Sequence, residues 1–230
     1  MVEQLHNIWD DFRDDDNLRV AILTGAGNIF SAGFDMGEIV HLLKETPYEW
    51  GMSSLFGNKA VSPTIHSVWK PIVGAFDGFV NGMSFMVAFG CDIRIVTKET
   101  RFGLGEIKVG AVVEFAALMT HYMPQAIVNE ILLIGNPITA ERAYNVGLIN
   151  KIVSREELMP EATAIANTIS EGGPKSARVM KELVHRGLDL DYNSALALTG
   201  NIAPPIVNSE DHKEGCRAFI EKRKPVWKGK

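Results

Sequence analysis

The chain has 230 residues, 46% of them hydrophobic, and a mean hydropathy of +0.04, which is enough apolar material for a sizeable core in one domain or two small ones. The longest apolar stretch, near residues 109 to 119, is interrupted by Gly110 and Glu114, so no transmembrane helix is expected. A net charge of −5 and a pI near 5.7 argue against nucleic-acid binding, which usually requires a broad positive field.

The ends of the chain and its cysteines carry no recognisable targeting or metal signal. The first residues, MVEQLHNIWDDF, are acidic and lack the basic region and apolar run of a secretory signal, so a cytoplasmic protein is expected. Cys91 and Cys216 are too few for a disulfide framework, and neither they nor the histidines have metal-ligand spacing. Residues 217 to 230 carry six Lys or Arg against Glu221, and charge alone favours a solvated tail there over a phosphate site.

The first part of the chain predicts a helix followed by buried strands. Leu5, Trp9 and Phe12 recur at helical spacing, and VAILTGAG, which comes next, is a short β-branched run closed by glycines. PIVGAF at 71 to 76 repeats the strand pattern before glycines and an apolar helical segment, and CDIRIV at 91 to 96 supplies another strand. Strands that alternate with helices indicate a mainly parallel, covered sheet.

The second part is predicted to be mostly helical. From Phe115 to Val146 the pattern favours helix, with breaks at Pro124 and Pro137, before LINKIV supplies one more strand. Ser154 and Glu157 then form a capping-box pair ahead of a helix from about 155 to 170.

The last quarter of the chain is predicted to be entirely helical. Pro174, after GG, suits the first turn of a helix, and a last helix is expected around 210 to 223. We therefore expect an α/β core over residues 1–153 and a helical region over residues 154–230.

Two glycine-bearing loops stand out, SAGFD at 31 to 35 and GFVNGMSF at 78 to 85. Each follows a predicted strand and precedes a predicted helix, so each leaves unpaired helical amides at the positive end of a macrodipole. Two such termini at one point would bind a developing oxyanion. Glycine in such turns is also common for steric reasons alone, and neither loop matches a nucleotide-binding fingerprint.

Five segments in order resemble the enoyl-CoA hydratase/isomerase family, also called the crotonase family, over almost the whole chain. They are AILTGAGNIFSAGFDMGEI, PIVGAFDGFVNG, CDIRIVTKETRFGLGEIKVG, GNPITAERAYNVGLINKIV and EGCRAFIEKRK. The resemblance implies an α/β spiral of βαβ units with a helical C-terminal trimerisation region, hence a homotrimer or hexamer. It also implies an acyl-CoA thioester substrate, with coenzyme A as part of the substrate and no permanently bound cofactor, as in fatty acid metabolism.

The resemblance also assigns binding residues. In the family, two backbone amides form an oxyanion hole for the thioester carbonyl, and here they fall on Phe34 and Met83. The family often has glycine at the second position, so the Met83 side chain is expected to narrow the acyl pocket while leaving the N–H in place. The positions that match coenzyme A contacts of the family are Ala32, Phe34, Asp35, Met36, Phe219 and Lys222. For the last two, the resemblance implies contact across a subunit boundary.

The acid and base positions depart from the hydratase pattern of two glutamates. The first position is Met86, which cannot transfer a proton, and the second is Glu106. Glu114 lies eight residues further on, where dienoyl-CoA isomerase-like and dehalogenase-like members carry a second carboxylate. Apolar neighbours favour a buried, functional Glu106. Glu114 is explained equally well by an ion pair across a subunit contact.

Family chains generally begin with a strand hairpin that helps to bind the coenzyme, whereas this chain starts at the first predicted helix. A misplaced start codon and a shortened family member both explain that difference. The sequence thus predicts an enoyl-CoA isomerase or hydratase, with double-bond isomerisation favoured over hydration. The alternative is a catalytically inactive thioester-binding or trimer-scaffold homologue.

Overall fold

The computed structural model describes residues 2–33, 35–37, 65, 68–113 and 115–229. Its strands form two sheets, one of four strands in the order β1-β2-β4-β7 and one of three strands in the order β3-β5-β6. The strands are β1 (Ala21–Thr24), β2 (Ile72–Phe76), β3 (Phe79–Asn81), β4 (Ile93–Thr97), β5 (Arg101–Gly103), β6 (Ile138–Thr139) and β7 (Lys151–Val153).

The helices lie before, between and after these strands. Short 3-10 helices at Glu106–Val109 and Ala116–His121 and a π-helical turn at Glu130–Ile134 complete the described secondary structure. The α-helices are α1 (Val2–Asp14), α2 (Met83–Phe89), α3 (Gln125–Asn129), α4 (Ala140–Asn145), α5 (Arg155–Ser170), α6 (Pro174–Gly187), α7 (Tyr192–Ile202), α8 (Pro204–Val207) and α9 (Glu210–Ile220).

The four-stranded sheet is parallel throughout and buried on both faces, which confirms the expectation of a mainly parallel, covered sheet. All five residues of β2 are buried, and they alternate between two apolar clusters. Ile72 and Phe76 belong to the larger cluster, which also contains Trp9 of α1, whereas Val73 packs in a smaller cluster with Leu158 of α5. Helices on opposite faces therefore cover the sheet.

The three-stranded sheet was not predicted in full. The segment treated as a glycine loop after β2 contains β3, which pairs in parallel with β5. The stretch from Phe115 to Val146, predicted as helix, contains β6, which pairs antiparallel with β5 and buries Ile138 beside Phe102. These strands are two or three residues long, and such short runs carry too little periodicity to be separated from helix.

Predicted helix boundaries were more accurate. The capping box is present, because the Ser154 hydroxyl accepts from the Glu157 amide and the Glu157 carboxylate accepts from the Ser154 amide. Pro174 is the first residue of α6, as predicted. The last helix ends at Ile220, three residues before its predicted end. No described helix is long and apolar enough to cross a membrane.

The basic C-terminal tail folds back on α9 through its backbone, while its basic side chains remain exposed, as expected for a solvated tail. The Asp211 carboxylate accepts from the backbone amides of Lys228 and Gly229, at 2.7 and 2.9 Å. The Arg223 guanidinium pairs with Glu214 at 2.6 Å. Trp227 lies so close to Gly215 that a β-carbon there would be 3.1 Å from its ring. Of the basic side chains in the described tail, Arg223 and Lys224 are paired within the chain.

Candidate active site

The two glycine-bearing segments meet side by side. Ser31 forms an isolated parallel bridge with Val80, and its carbonyl accepts from the Asn81 amide at 3.1 Å. Gly33 has φ of +98°, and a β-carbon on it would lie 3.2 Å from the Asn81 carbonyl oxygen. Glycine is needed there on both counts, because L side chains rarely adopt that backbone and the neighbouring strand leaves little room. The structure thus brings SAG against the start of α2.

Helix α2 begins at this junction with a free donor. Its N-cap, Gly82, has φ of 58° and contributes no side chain to cap the first turn. Within the part of the chain that the structure describes, the Met83 amide has no hydrogen-bond acceptor. First-turn amides lie at the positive end of the helix dipole, so this N–H is available to an anionic oxygen. Phe34, the other expected amide, lies outside the described residues.

Glu106 lies beside the same turn. It begins the 3-10 helix that follows β5, and its Oε1 would be 3.4 Å from a β-carbon on Gly82. Its Oε2 is buried and has no hydrogen-bond partner among the described residues. Burial raises the pKa of this carboxyl, because the charged form loses hydration there and a hydrogen bond from the residue's own backbone offsets that loss only in part. The site therefore holds a carboxylate oxygen without a partner beside the turn that carries the Met83 amide.

The other acid and base positions contribute no second carboxylate to the described site. Met86, on α2, is half-buried and packs against the main apolar cluster, as does the Met83 side chain. A thioether has no proton to give and is a very weak acceptor. Glu114 lies outside the described residues. Among those residues, no cluster of three or more His, Cys, Asp or Glu could hold a metal ion.

The expected coenzyme contacts fall in two separate places. Ala32, Asp35 and Met36 are exposed around the SAG turn, and Asp35 Oδ1 also accepts from the Gly37 amide at 2.9 Å. Phe219, 86% exposed, lies near the end of α9 and lines a cavity of about 490 Å³. The lining residues of that cavity come from the start of α6, from α9 and its N-cap, and from the tail.

Lys222 has an unusual backbone for its residue type. It follows α9 with φ of 53°, the one non-glycine residue with positive φ in the described part of the chain. Within that part, its side chain has no ion pair, unlike Arg223 beside it. A left-handed lysine costs free energy that the surrounding chain must supply. The Lys222 backbone amide donates to the Phe219 carbonyl at 3.3 Å, so this turn directly follows the exposed Phe219.

Comparison with known proteins decides the family. The model of the enoyl-CoA hydratase/isomerase family matches residues 1–230. The chain belongs to that family. Among curated relatives, carnitinyl-CoA dehydratase from Escherichia coli K12 is 33% identical over 235 residues, which cover 99% of this chain and 88% of the relative. The protein of the same name from Salmonella arizonae is 33% identical, covering 95% of this chain and 84% of the relative.

Solved structures confirm the crotonase fold. An enoyl-CoA hydratase from Bacillus anthracis superposes with a TM-score of 0.90 at 27% identity, covering 99% of this chain and 88% of that one. An enoyl-CoA hydratase/carnithine racemase from Magnetospirillum magneticum gives a TM-score of 0.88 at 27% identity, with coverage of 99% and 85%. Enzymes of this family act on coenzyme A thioesters without a permanently bound cofactor.

Proposed function

We propose that this chain is an enzyme that forms the enolate of an acyl-CoA thioester and moves its protons with Glu106. The observation that carries the proposal is the buried, unpartnered Glu106 Oε2 beside the turn that starts α2. Buried polar atoms normally have partners, so this exception needs an explanation. A role as catalytic base would explain it, because abstraction of a proton next to a thioester carbonyl requires a nearby base.

The Met83 amide supplies the complementary group. An enolate places negative charge on the thioester oxygen, and a donor held toward that oxygen stabilises the charge most when it needs no rearrangement. The Met83 N–H meets that condition because the described chain gives it no competing acceptor. We assign the second donor to the Phe34 amide, which follows Gly33 directly. The short distance between Gly33 and the Asn81 carbonyl supports this pairing of loops.

The raised pKa of Glu106 suits a group that must both take and return a proton. A carboxyl with an ordinary pKa would be a weak base at neutral pH, and burial strengthens it. One carboxylate can transfer a proton from one carbon to another in turn, which is sufficient for local double-bond isomerisation. Glu114 would act as the second carboxylate in reactions that connect more distant carbons.

Isomerisation is favoured over hydration because Met86 occupies the position of the first hydratase glutamate. Hydration by the two-glutamate mechanism requires two groups that activate the water and protonate the substrate. Met86 cannot transfer a proton, and it packs in apolar surroundings. The similarity to carnitinyl-CoA dehydratases supplies a second substrate to test, a β-hydroxyacyl-CoA that would lose water. Met86 also motivates the alternative function, an inactive thioester-binding or scaffold protein.

The assembly proposed is a homotrimer or a pair of trimers. Helix α6 and its C-cap present Met180, Val184 and Leu188 on one face, 59%, 69% and 56% exposed, and α7 adds Tyr192 and Leu196. A continuous apolar face of that kind is normally covered. In such an assembly Phe219 and Lys222 would contact the coenzyme held by a neighbouring subunit. Light scattering checks this: the mass of a trimer or hexamer is expected, and a monomer at micromolar concentration would contradict it.

The proposed function is tested by a spectrophotometric screen of 2-enoyl-, 3-enoyl-, dienoyl- and β-hydroxyacyl-CoA thioesters of several chain lengths. Turnover of at least one class is expected from the wild-type chain. Binding of thioesters without turnover of any of them would favour the inactive alternative. Absence of turnover with every thioester would contradict the proposal, and absence of binding as well would also contradict the inactive alternative.

A further inference from the structure

Ser84 lies in the first turn of α2, and its hydroxyl bonds back to the chain just before the helix. It is the second residue of that helix and only 8% exposed. Its hydroxyl donates to the Asn81 carbonyl oxygen at 2.7 Å and lies 3.5 Å from the Ser31 carbonyl oxygen. These two carbonyls belong to the two segments that meet at the candidate site. The hydroxyl is therefore placed between the structures that carry the proposed donors.

The hydrogen bond from Ser84 fixes the peptide plane just before the Met83 amide. The plane that joins Asn81 to Gly82 is held at both ends, since its carbonyl accepts from Ser84 and its N–H donates to the Gly103 carbonyl at 3.0 Å. The next plane carries the Met83 N–H, and its carbonyl, on Gly82, accepts from the Phe85 amide at 2.9 Å. The orientation of the Met83 N–H thus depends on two successive fixed planes.

Gly82 joins these two peptide planes, and its own backbone preference does little to fix the angle between them. Gly82 has φ of 58° and ψ of −134°, and glycine occupies several backbone regions with little cost. Gly33, on the facing segment, also has positive φ, and its amide donates to the Ser31 hydroxyl at 3.2 Å. Side-chain hydroxyls therefore restrain both glycines, Ser31 on one segment and Ser84 on the other.

We propose that Ser84 is a positioning residue for the oxyanion hole, an inference that rests on the proposed function of that site. Without the Ser84 hydroxyl, the Asn81 carbonyl loses its hydrogen-bond donor and the peptide plane before Gly82 is held at one end only. The Met83 amide then tilts away from the thioester oxygen. Loss of alignment weakens stabilisation of the transition state more than binding of the ground state, so kcat falls while KM changes little.

Ser170 provides a matched control on α5. Its hydroxyl also donates to the carbonyl three residues earlier, that of Asn167, at 2.8 Å. It lies at the C-terminal end of its helix and has no contact with the segments of the candidate site. Ser84→Ala and Ser170→Ala thus remove the same kind of hydrogen bond, one beside Met83 and one far from it.

The test compares the two variants by kinetics and by amide hydrogen exchange measured by NMR. Ser84→Ala is expected to lower kcat by about ten- to hundredfold with KM within about threefold, and to speed exchange of the Gly82 amide by about tenfold or more. Ser170→Ala should change neither kcat nor the exchange rate of the Gly82 amide by more than about twofold. The two variants should have similar unfolding temperatures.

The two readouts separate this inference from the proposed function. If the wild type turns over no thioester, the proposed function fails, and exchange of the Gly82 amide still decides whether Ser84 fixes that peptide. Unchanged Gly82 exchange in Ser84→Ala overturns the inference. So does an active Ser84→Ala enzyme whose kcat stays within about twofold of wild type while its Gly82 amide exchanges faster.

Discussion

Glu106 and Asp92 are both partly buried carboxylates, and their surroundings differ in nearly every respect. Asp92 accepts from the Ile72 amide at 2.7 Å and pairs with Lys181 at 2.8 Å and His185 at 3.5 Å. Burial alone would raise the pKa of Asp92, but the His185 hydrogen bond and the Lys181 charge outweigh it and lower the pKa. Glu106 has a raised pKa and an unpartnered Oε2.

The comparison separates a structural carboxylate from a candidate catalytic one. Asp92 uses its oxygens to join α6 to the start of β2, so its interactions are complete without a ligand. Glu106 keeps an oxygen unsatisfied beside the Met83 amide, an arrangement that destabilises the free protein and is relieved only when a proton or substrate arrives. Stability and activity should therefore respond in opposite ways at the two sites.

The largest expected effect is on catalysis at Glu106. Glu106→Gln keeps the size and hydrogen-bonding capacity of the side chain but removes the base, so kcat should fall by roughly two to four orders of magnitude with thioester binding retained. Steady-state kinetics on each active substrate, with binding measured by calorimetry, checks this. Full activity of Glu106→Gln on every substrate would show that the catalytic group lies elsewhere.

The second expected effect concerns Glu114 and depends on the substrate. If Glu114 shares proton transfer, Glu114→Gln should slow isomerisation of a dienoyl-CoA by roughly tenfold or more, because two distant carbons must exchange protons. A 3-enoyl-CoA, whose double bond moves by one position, should react at nearly the wild-type rate through Glu106 alone. Equal slowing of both reactions would contradict this division of roles.

Asp92 should show a large effect on stability and little on activity. Asp92→Asn leaves the Lys181 ammonium, largely buried, without its counter-charge, and the free energy of unfolding should fall by about 2 to 4 kcal/mol. Denaturant unfolding gives this value, and kcat per folded molecule should stay within about twofold of wild type. A variant that unfolds normally but loses turnover would invalidate the contrast with Glu106.

The smallest expected effect is a pH-dependent gain in stability on removing the Glu106 charge. The folded pKa of Glu106 is above its unfolded value of about 4.3, so the folded state loses stability as pH rises from there through the folded pKa. Glu106→Gln should thus raise the free energy of unfolding at pH 7, and this gain should disappear near pH 4.

Asp92 should show the opposite pH dependence. Its folded pKa is lowered, so its contribution is present above the unfolded pKa of about 3.9 and is lost as pH falls through the folded pKa. The deficit of Asp92→Asn should accordingly shrink in acid. Denaturant unfolding from pH 7 down through the folded pKa of Asp92 measures both trends, and parallel behaviour of the two variants would contradict their separate roles.

Much of the fold could be predicted from the sequence because long periodic segments and capping residues act locally. The strand PIVGAF and the capping box at Ser154 need only their own neighbours to be recognised. The short strand β6 could not be found, since its pairing with β5 is a long-range contact. The folding back of the tail depends on the slot beside Gly215, a tertiary feature that charge counting does not reveal.

Only part of the candidate site could be predicted from the sequence. Glu106 and Met83 were found through the family resemblance, and Glu106 also through its apolar neighbours. Ser84 was missed because a serine in GMSF has no distinguishing pattern, and its importance appears only when the Asn81 carbonyl lies within hydrogen-bond distance.

Enolate formation can be observed without knowing the physiological substrate. In deuterated water, an enzyme that removes and returns a proton at the α-carbon incorporates deuterium there, which proton NMR of a 3-enoyl-CoA detects. The wild-type chain should exchange that position far above the uncatalysed rate, and Glu106→Gln should slow the exchange by roughly two to four orders of magnitude. Exchange by the wild type no faster than in buffer, or equal exchange by both proteins, would contradict the assignment of Glu106 as the base of an enolate-forming site.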